Sequence, residues 1–441
     1  MNLTKHSFFG VMCCALIESH AMEPDVKTRD MLVKDSYVVT FKNSTAGRPS
    51  PVWPGKRVDP SEMLRNIPIG GHNSGQSKVQ LSVDLGIRGQ VNSIYDMINA
   101  AHLLIEPDEA ERLLQDPRVL RVEQNRIMSP TQSVQMNPGW ALDRLDQPTT
   151  ALDYKHIYNS TGVGEIIYIL DTGLTVANPG VQAEFGTRAT MAWDVNAEGG
   201  IDCVGHGTNV ASVAAGNQYG IAKGATVRAA KVTVGCGYST NTDTIIFLFN
   251  WLAANASRGT IANLNYGFEK GFSCPTTPNN PAYTFQALDD SIIAAHNAGT
   301  IVVVSAGNDD CDTAYFSPTR IPQAFVVGAT SSSRFNQGQD AKSPDSRIGA
   351  NVSAYAPGVN VPTLDSYGNP TFATGTSIAA PFLAGLFAAG CPVLGTFCKV
   401  STVADIYARM RSIGVMGTVV MDNGSPLPAG TASRFVNRGP W

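Results

Sequence analysis

Charge is scarce in this 441-residue chain. Asp, Glu, Lys and Arg make up 15% of it, against ~25% in an average soluble protein, and the formal net charge is -4. No run of Lys or Arg occurs, so the electrostatic footprint of a nucleic-acid-binding protein is missing. Beyond the first residues, no stretch is long and apolar enough to form a membrane helix. No CxxC and no HxxxH pair occurs, and the seven histidines are scattered, which leaves zinc without its usual ligand spacing. Low charge does not mean disorder here. Hydrophobic residues are 43%, enough for a sizeable core, and 42 glycines and 26 prolines point to many turns. The length suits one large domain plus a unit of ~100 to 150 residues.

The first residues read as an address label. Lys5 is a positive start, Phe8 to Ile17 a short apolar stretch, and Ser19-His20-Ala21 a cleavage site, giving a signal peptide over 1–21 and a secreted, extracellular chain. A start-transfer anchor is the alternative. Cys13 and Cys14 would leave with the signal, so six of the eight cysteines remain: Cys203, Cys236, Cys274, Cys311, Cys391 and Cys398. An even count in an oxidising compartment suggests disulfides, with 15 connectivities open. Glycosylation sequons stand at Asn43, Asn159, Asn255, Asn351 and Asn423.

The composition shifts twice along the chain. Ser36 to Lys42 reads as a strand, Thr45 to Asn73 as an irregular insertion, and 94–125 as strand, helix, strand, with Pro107, Asp108 and Glu109 suited to a helix start. Together they predict a small α+β unit over 36–125. Residues 126–140 carry Pro, Ser and Gln and read as an exposed linker. Beyond them, runs such as EIIYIL, VRAAKV, IANLNY, TIVVVSAG and AFVVGA alternate with helix-like segments. That predicts an α/β fold with a mostly parallel sheet flanked by helices. Sites in such sheets lie at the carboxyl ends of the strands.

Four chemical groups fall at those ends. EIIYIL runs into Asp171-Thr172-Gly173, His206 precedes a small-residue helix, TIVVVSAG runs into Asn308, and Ser377 opens a second small-residue helix. A serine hydroxyl needs an imidazole to take its proton, and the imidazole needs a buried carboxylate to fix its tautomer. The oxyanion needs donors, here the Ser377 amide at a helix start and the Asn308 side chain. DTG also occurs in aspartic proteases, but those need two carboxylates sharing a proton, and DTG occurs once here. GTSIA is not G-x-S-x-G, and the order Asp, His, Ser is not that of the α/β-hydrolases, which disfavours a lipase or esterase.

DTG, GHGTxVA, SAGN and GTSxAxP, in this order and spacing, resemble the subtilases, the subtilisin-like serine proteases. WALDRLDQ at 140–147 resembles the mature start of the proteinase K group, Ile261 to Gly267 its substrate strand, and 36–125 an inhibitory propeptide. The resemblance implies a propeptide at 22–125, a processing site within the linker 126–140, and a subtilisin-like peptidase domain at 141–441. It implies a serine endopeptidase with Asp171, His206, Ser377 and Asn308 as catalytic groups. Asn263 to Gly267 would pair with substrate, with Asn265, Tyr266, Gly267, Ser305, Ala306 and Gly307 lining the cleft. The absence of charge at 263–267 and 304–308 favours an apolar or aromatic residue before the scissile bond.

The implied partners are protein or peptide substrates and the chain's own propeptide, with no nucleic acid and no membrane, in a monomer. No cofactor is required. Where relatives hold an optional structural calcium through an Asp, this chain has Ser353, with only the carbonyls of Pro322 and Ala324 nearby, so that site is expected to be weak or lost. The resemblance further implies the pairs Cys203–Cys236, Cys274–Cys311 and Cys391–Cys398. Departures from the pattern are Asn209, Ser212, Ile378, Phe382 and Asn265-Tyr266. A catalytically dead subtilase fold kept as a binding or inhibitory protein is the alternative reading.

Overall fold

The computed structural model describes residues 32–42, 81–95, 98–126, 133–197, 199–393, 398, 401–415 and 417–436. The expected signal at 1–21, the insertion at 45–73 and residues 127–132 of the linker lie outside the described residues. The chain divides into two compact units, residues 1–130 and 131–441.

In the first unit, β1 (Leu32–Phe41), β2 (Gly89–Tyr95), β3 (Ala100–Ile105) and β4 (Val119–Arg126) form an antiparallel sheet in the order β2-β3-β1-β4. Strand alternation turns Tyr37, Val39, Leu103 and Ile105 to one face, where α1 (Pro107–Leu114) buries Ala110 and Leu113. Pro107 stands in the first turn of α1, as expected from the sequence. Glu109 beside it is buried between Arg88 and Arg112, at 2.7 and 2.6 Å. The Arg112 hydrogen bond, chief among the Arg contacts, holds this carboxyl down at about 2.

The second unit begins with β5 (Ser133–Met136), α2 (Trp140–Asp146), β6 (Lys155–Tyr158), β7 (Ile166–Asp171), α3 (Pro179–Phe185), β8 (Ala189–Asp194), α4 (His206–Ala215), β9 (Thr226–Lys231) and α5 (Thr242–Asn255). It continues through β10 (Ile261–Leu264), α6 (Gln286–Ala298), β11 (Ile301–Ser305), β12 (Phe325–Ser331), β13 (Asp340–Lys342), β14 (Val352–Pro357), β15 (Val361–Leu364) and β16 (Pro370–Ala373). It ends with α7 (Thr376–Val393), α8 (Val403–Ile413) and β17 (Val419–Val420). The main sheet runs β17-β13-β12-β11-β10-β7-β9-β8, with β14 also on β12. Every pair from β8 to β12, and β12 with β14, is parallel.

Both faces of this sheet are covered, which is why its strands read as near-continuous apolar runs. One face sends Ile167, Ile169, Val227, Ile261 and Val303 against the alanine-rich α4 and α7. The other sends Tyr168, Leu170, Ala262, Leu264 and Val304 against α5 and α6. Three disulfides close loops around this core: Cys203–Cys236, Cys274–Cys311 and Cys391–Cys398, each with Cα atoms 5.4 Å apart.

Two expectations need correction. The linker does not extend to 140: Ser133–Met136 pairs antiparallel with Lys155–Tyr158, and α2 opens at Trp140. Flanking Pro, Ser and Gln hid a strand whose partner lies about twenty residues on. Asn263 and Leu264 do not receive a substrate strand either. Both are paired on one side with β7 and on the other with β11, so neither edge is free.

The second unit's opening helix is tied to the far edge of the sheet. Arg144 Nε and Nη2 donate to the two carboxylate oxygens of Asp340 at 2.9 and 2.7 Å, both side chains being fully buried, and the guanidinium lies 4.1 Å over the Phe435 ring. Asp340→Ala leaves that cation unpaired and should cost about 3–5 kcal/mol, read from denaturant unfolding of the full chain. A loss under ~1 kcal/mol would mean that solvent reaches the pair.

Candidate active site

The β7, β10 and β11 strands end side by side, and each delivers residues to one cleft. Asp171 is the last residue of β7, and Asn265 follows the last residue of β10. Asn308 lies three residues past the end of β11. His206 is the first residue of α4, and Ser377 sits in the first turn of α7. A Cβ on Gly207 would collide with the carbonyl of Gly173, so the glycine lets the start of α4 sit directly on the turn after β7.

His206 lies between the other two members of the expected triad. Its Nδ1 is 2.6 Å from Asp171 Oδ1 and its Nε2 is 2.9 Å from Ser377 Oγ, across 35 and 171 positions of sequence. Asp171 is fully buried, whereas the His206 side chain is 26% exposed, open enough for a substrate to reach. Burial pulls the imidazolium down, but the Asp171 charge and hydrogen bond, with Asp202 behind them, outweigh it, and the net shift is upward.

Asn308 is fixed by its carbonyl. Oδ1 accepts from the amide and hydroxyl of Thr376 at 2.9 and 3.0 Å, which leaves Nδ2 facing Ser377. A Cβ built on Gly375 would lie 3.1 Å from Ser377 Oγ, 3.6 Å from Asn308 Nδ2 and 3.7 Å from the Ser377 amide nitrogen. The space that glycine leaves is thus bordered by a hydroxyl and two N–H donors, one of them a first-turn amide with no partner inside its helix. A small anionic oxygen fits there.

Several residues that hold this arrangement were not singled out from sequence. Thr172 uses every polar atom: its amide donates to Asp171 Oδ1, its hydroxyl donates to Asp202 and accepts from the Gly207 amide, and its carbonyl accepts from Lys231 Nζ. Asp202 also accepts from the amides of Val204, Gly205 and Thr208 and from the Thr208 hydroxyl. The carboxylate four residues ahead of His206 was the available signal. Lys231 is buried under the same turn, where an amphipathic-strand reading gives no hint of a cation.

The cleft beside the triad encloses about 610 Å³ and is lined by all six expected substrate residues, Asn265, Tyr266, Gly267, Ser305, Ala306 and Gly307, together with Tyr238, Phe268 and Arg347. The charges near it are largely matched. Arg347 donates to both oxygens of Asp309 at 2.6 Å while its guanidinium stacks 3.4 Å from the Phe316 ring centre, and Lys342 pairs with Asp310. Burial pushes the Asp309 carboxyl up, but Arg347 outweighs it and the net shift is down. The Cys274–Cys311 bridge ties the loops that follow the two walls. Apart from Asn265 and Tyr266, which line the cleft, the departures sit behind the site. Asn209 Nδ2 donates to the Leu364 carbonyl at 2.8 Å, Ser212 bonds Thr363 Oγ1 at 2.6 Å, and Ile378 and Phe382 are buried in the core.

The expected calcium position does not fit a cation. Ser353 Oγ accepts from Arg411 Nη2 at 3.0 Å and its carbonyl from Arg434 Nη1 at 3.1 Å, so two guanidinium groups already use the oxygens.

Comparison with known proteins agrees with this architecture. The pattern that describes the subtilase family matches residues 162–391. Over 367 residues the chain is 31% identical to an alkaline serine exoprotease A of Vibrio alginolyticus, covering 81% of this chain and 61% of that one. Over 308 residues it is 34% identical to an extracellular serine proteinase of Thermus sp. (strain Rt41A), covering 68% of each. Among solved structures, a cold-adapted subtilisin-like serine proteinase superposes with a TM-score of 0.58 at 29% identity, over 68% of this chain and 98% of that one. The chain belongs to the subtilase family of serine proteases.

Proposed function

We propose that the chain is a secreted serine endopeptidase, made as a self-inhibited precursor, that hydrolyses peptide bonds after apolar or aromatic residues. The observation that carries this reading is His206 held between Asp171 and Ser377 within hydrogen-bond reach of both. Ser377 Oγ attacks the substrate carbonyl as His206 Nε2 takes its proton. Asp171 keeps Nδ1 protonated and stabilises the imidazolium. Asn308 Nδ2 and the Ser377 amide receive the oxyanion. His206 then protonates the leaving amine, and water, activated by the same imidazole, releases the acyl group from Ser377. Side chains and backbone supply every step, so the reaction needs no cofactor.

The substrate preference rests on the cleft. Residues 265–268 and 305–308 carry no charged side chain, Arg347 pairs with Asp309 and Lys342 with Asp310, and among the described lining residues the one carboxylate is Glu269, just past the first wall. The first unit, with its own sheet and core, is the proposed propeptide, and the cut falls ahead of the β5 strand. A diphenyl phosphonate carrying an aromatic side chain should phosphonylate Ser377 of the processed wild type, the P–O(phenyl) bond breaking and phenol leaving with the serine proton, and should leave Ser377→Ala unmodified, as read by peptide mass mapping. Modification elsewhere, or none in a folded protein, would contradict the reading.

Calcium should contribute little through Ser353. Any change in melting temperature that EDTA causes is expected to be the same within ~2 °C in wild type and Ser353→Ala, since the guanidinium groups already satisfy the Ser353 oxygens. A large drop reversed by calcium, and abolished in Ser353→Ala, would overturn that expectation.

A further inference from the structure

Asn265 follows β10 and lines the cleft, and its side-chain amide also reaches the carboxylate of Asp171. The parallel register pairs Leu264 with Leu170, so the next step of each strand sets Asn265 beside Asp171. Asn265 Nδ2 donates to Asp171 Oδ2 at 3.1 Å. The other oxygen takes the remaining donors: the Thr172 amide at 2.8 Å and His206 Nδ1 at 2.6 Å. Among the described residues, Asn265 supplies the donor to Oδ2. An ionised carboxylate only accepts, so the amide must present its nitrogen there. The Asn265 carbonyl oxygen meanwhile is buried with no partner among the described residues. A side chain that leaves its own carbonyl unpaired while its amide reaches Asp171 is placed for the carboxylate.

We propose that Asn265 is a positioning residue of the triad: its amide fixes the plane of the Asp171 carboxylate, so that Oδ1 faces the imidazole, and disperses part of the carboxylate charge. This rests on the reading of Asp171 as the triad carboxylate. With both other donors on Oδ1, only Asn265 restrains Oδ2 against rotation about the Cβ–Cγ bond. A carboxylate oxygen buried without a donor is unfavourable, and Asp171 has no exposure to water that would replace the bond. The charge argument has a definite sign. A donor on Oδ2 weakens the pull of Asp171 on the imidazolium proton, so removing the donor strengthens it and raises the pH at which His206 becomes neutral.

The test uses processed enzyme and a peptide substrate. Asn265→Leu, close in size and lacking the donor, should lower kcat by ~10–100-fold while KM stays within ~2-fold, and should move the acid limb of kcat/KM to higher pH. Asn265→Ser, which keeps a donor, should recover part of the rate and return the limb toward wild type. If Asn265→Leu does not fold, Asn265→Val, which also lacks the donor, serves instead, with the same loss of kcat and the same rise of the limb expected. Raised KM with kcat and the limb unchanged would assign Asn265 to substrate binding alone and overturn the proposal, as would a limb unmoved in the folded variant that lacks the donor. Ser377→Ala separates the two levels. Activity surviving that change would sink the triad itself, whereas an active triad indifferent to Asn265 would sink only this inference.

Discussion

Precursor carrying Ser377→Ala should remain a single chain, while wild-type precursor separates into two. On the proposed reading the linker would tether its own scissile bond to the enzyme, so the first cleavage should be intramolecular and benefit from a high effective concentration. Alanine removes the hydroxyl that His206 Nε2 meets at 2.9 Å. In subtilisin the loss of this serine lowers turnover by ~10⁶, and that figure is carried over here. The new amino terminus should fall at or before Ser133, since cutting further on would strip β5 from its pairing with Lys155–Tyr158. Purification must exclude other proteases, which would cut the linker in trans. Cutting of Ser377→Ala at the wild-type position and rate would mean that another enzyme does the processing. Wild-type precursor that folds and is secreted uncut would favour the inactive-fold alternative.

Asp171→Asn should be the next most damaging change. An asparagine can turn its carbonyl to Nδ1–H, but it can also turn its NH₂ there and select the wrong tautomer. In a related triad this exchange costs ~10⁴ in kcat. The pH dependence gives an independent check. Burial alone lowers the basicity of His206, and the Asp171 charge and hydrogen bond reverse that. The base must be neutral to act, so wild-type activity should fall away as pH drops through a value above the 6.5 of an ordinary histidine. In Asp171→Asn the acid limb should move down as the rate falls. A limb that stays in place would mean that the titrating group is not His206.

The candidate catalytic constellation was legible because each member stands at a punctuation mark. Asp171 ends an apolar run, His206 and Ser377 each open a helix of small residues, and Asn308 follows the strand at 301–305. Those signals are local, and the general rule for parallel sheets brings strand ends together. What holds the constellation was not legible, because its contacts cross the sequence. The Thr172 hub gathers Asp202, Gly207 and Lys231, up to 59 positions away. Arg347 reaches Asp309 across 38 positions, and nothing around either residue announces the pair. The resemblance places Asn265 on the substrate wall, and it lines the cleft. Only the register of β10 against β7 reveals that its side-chain amide also reaches Asp171. The β5 strand escaped for a similar reason. Four residues, Ser-Val-Gln-Met, carry too little pattern to mark a strand until β6 lies beside them.

The most direct measurement is the turnover of a peptide with an aromatic residue before the scissile bond. Processed wild type and processed Ser377→Ala, the latter cut at the wild-type position by an added protease that is then removed, are compared side by side, with a simple carboxylic ester as second substrate. The account predicts that wild type cleaves the peptide at the aromatic position, and that Ser377→Ala cleaves it ~10⁶-fold more slowly, which places it at background. Peptide cleavage that persists in Ser377→Ala, or wild type that turns over the ester and leaves the peptide intact, would contradict it.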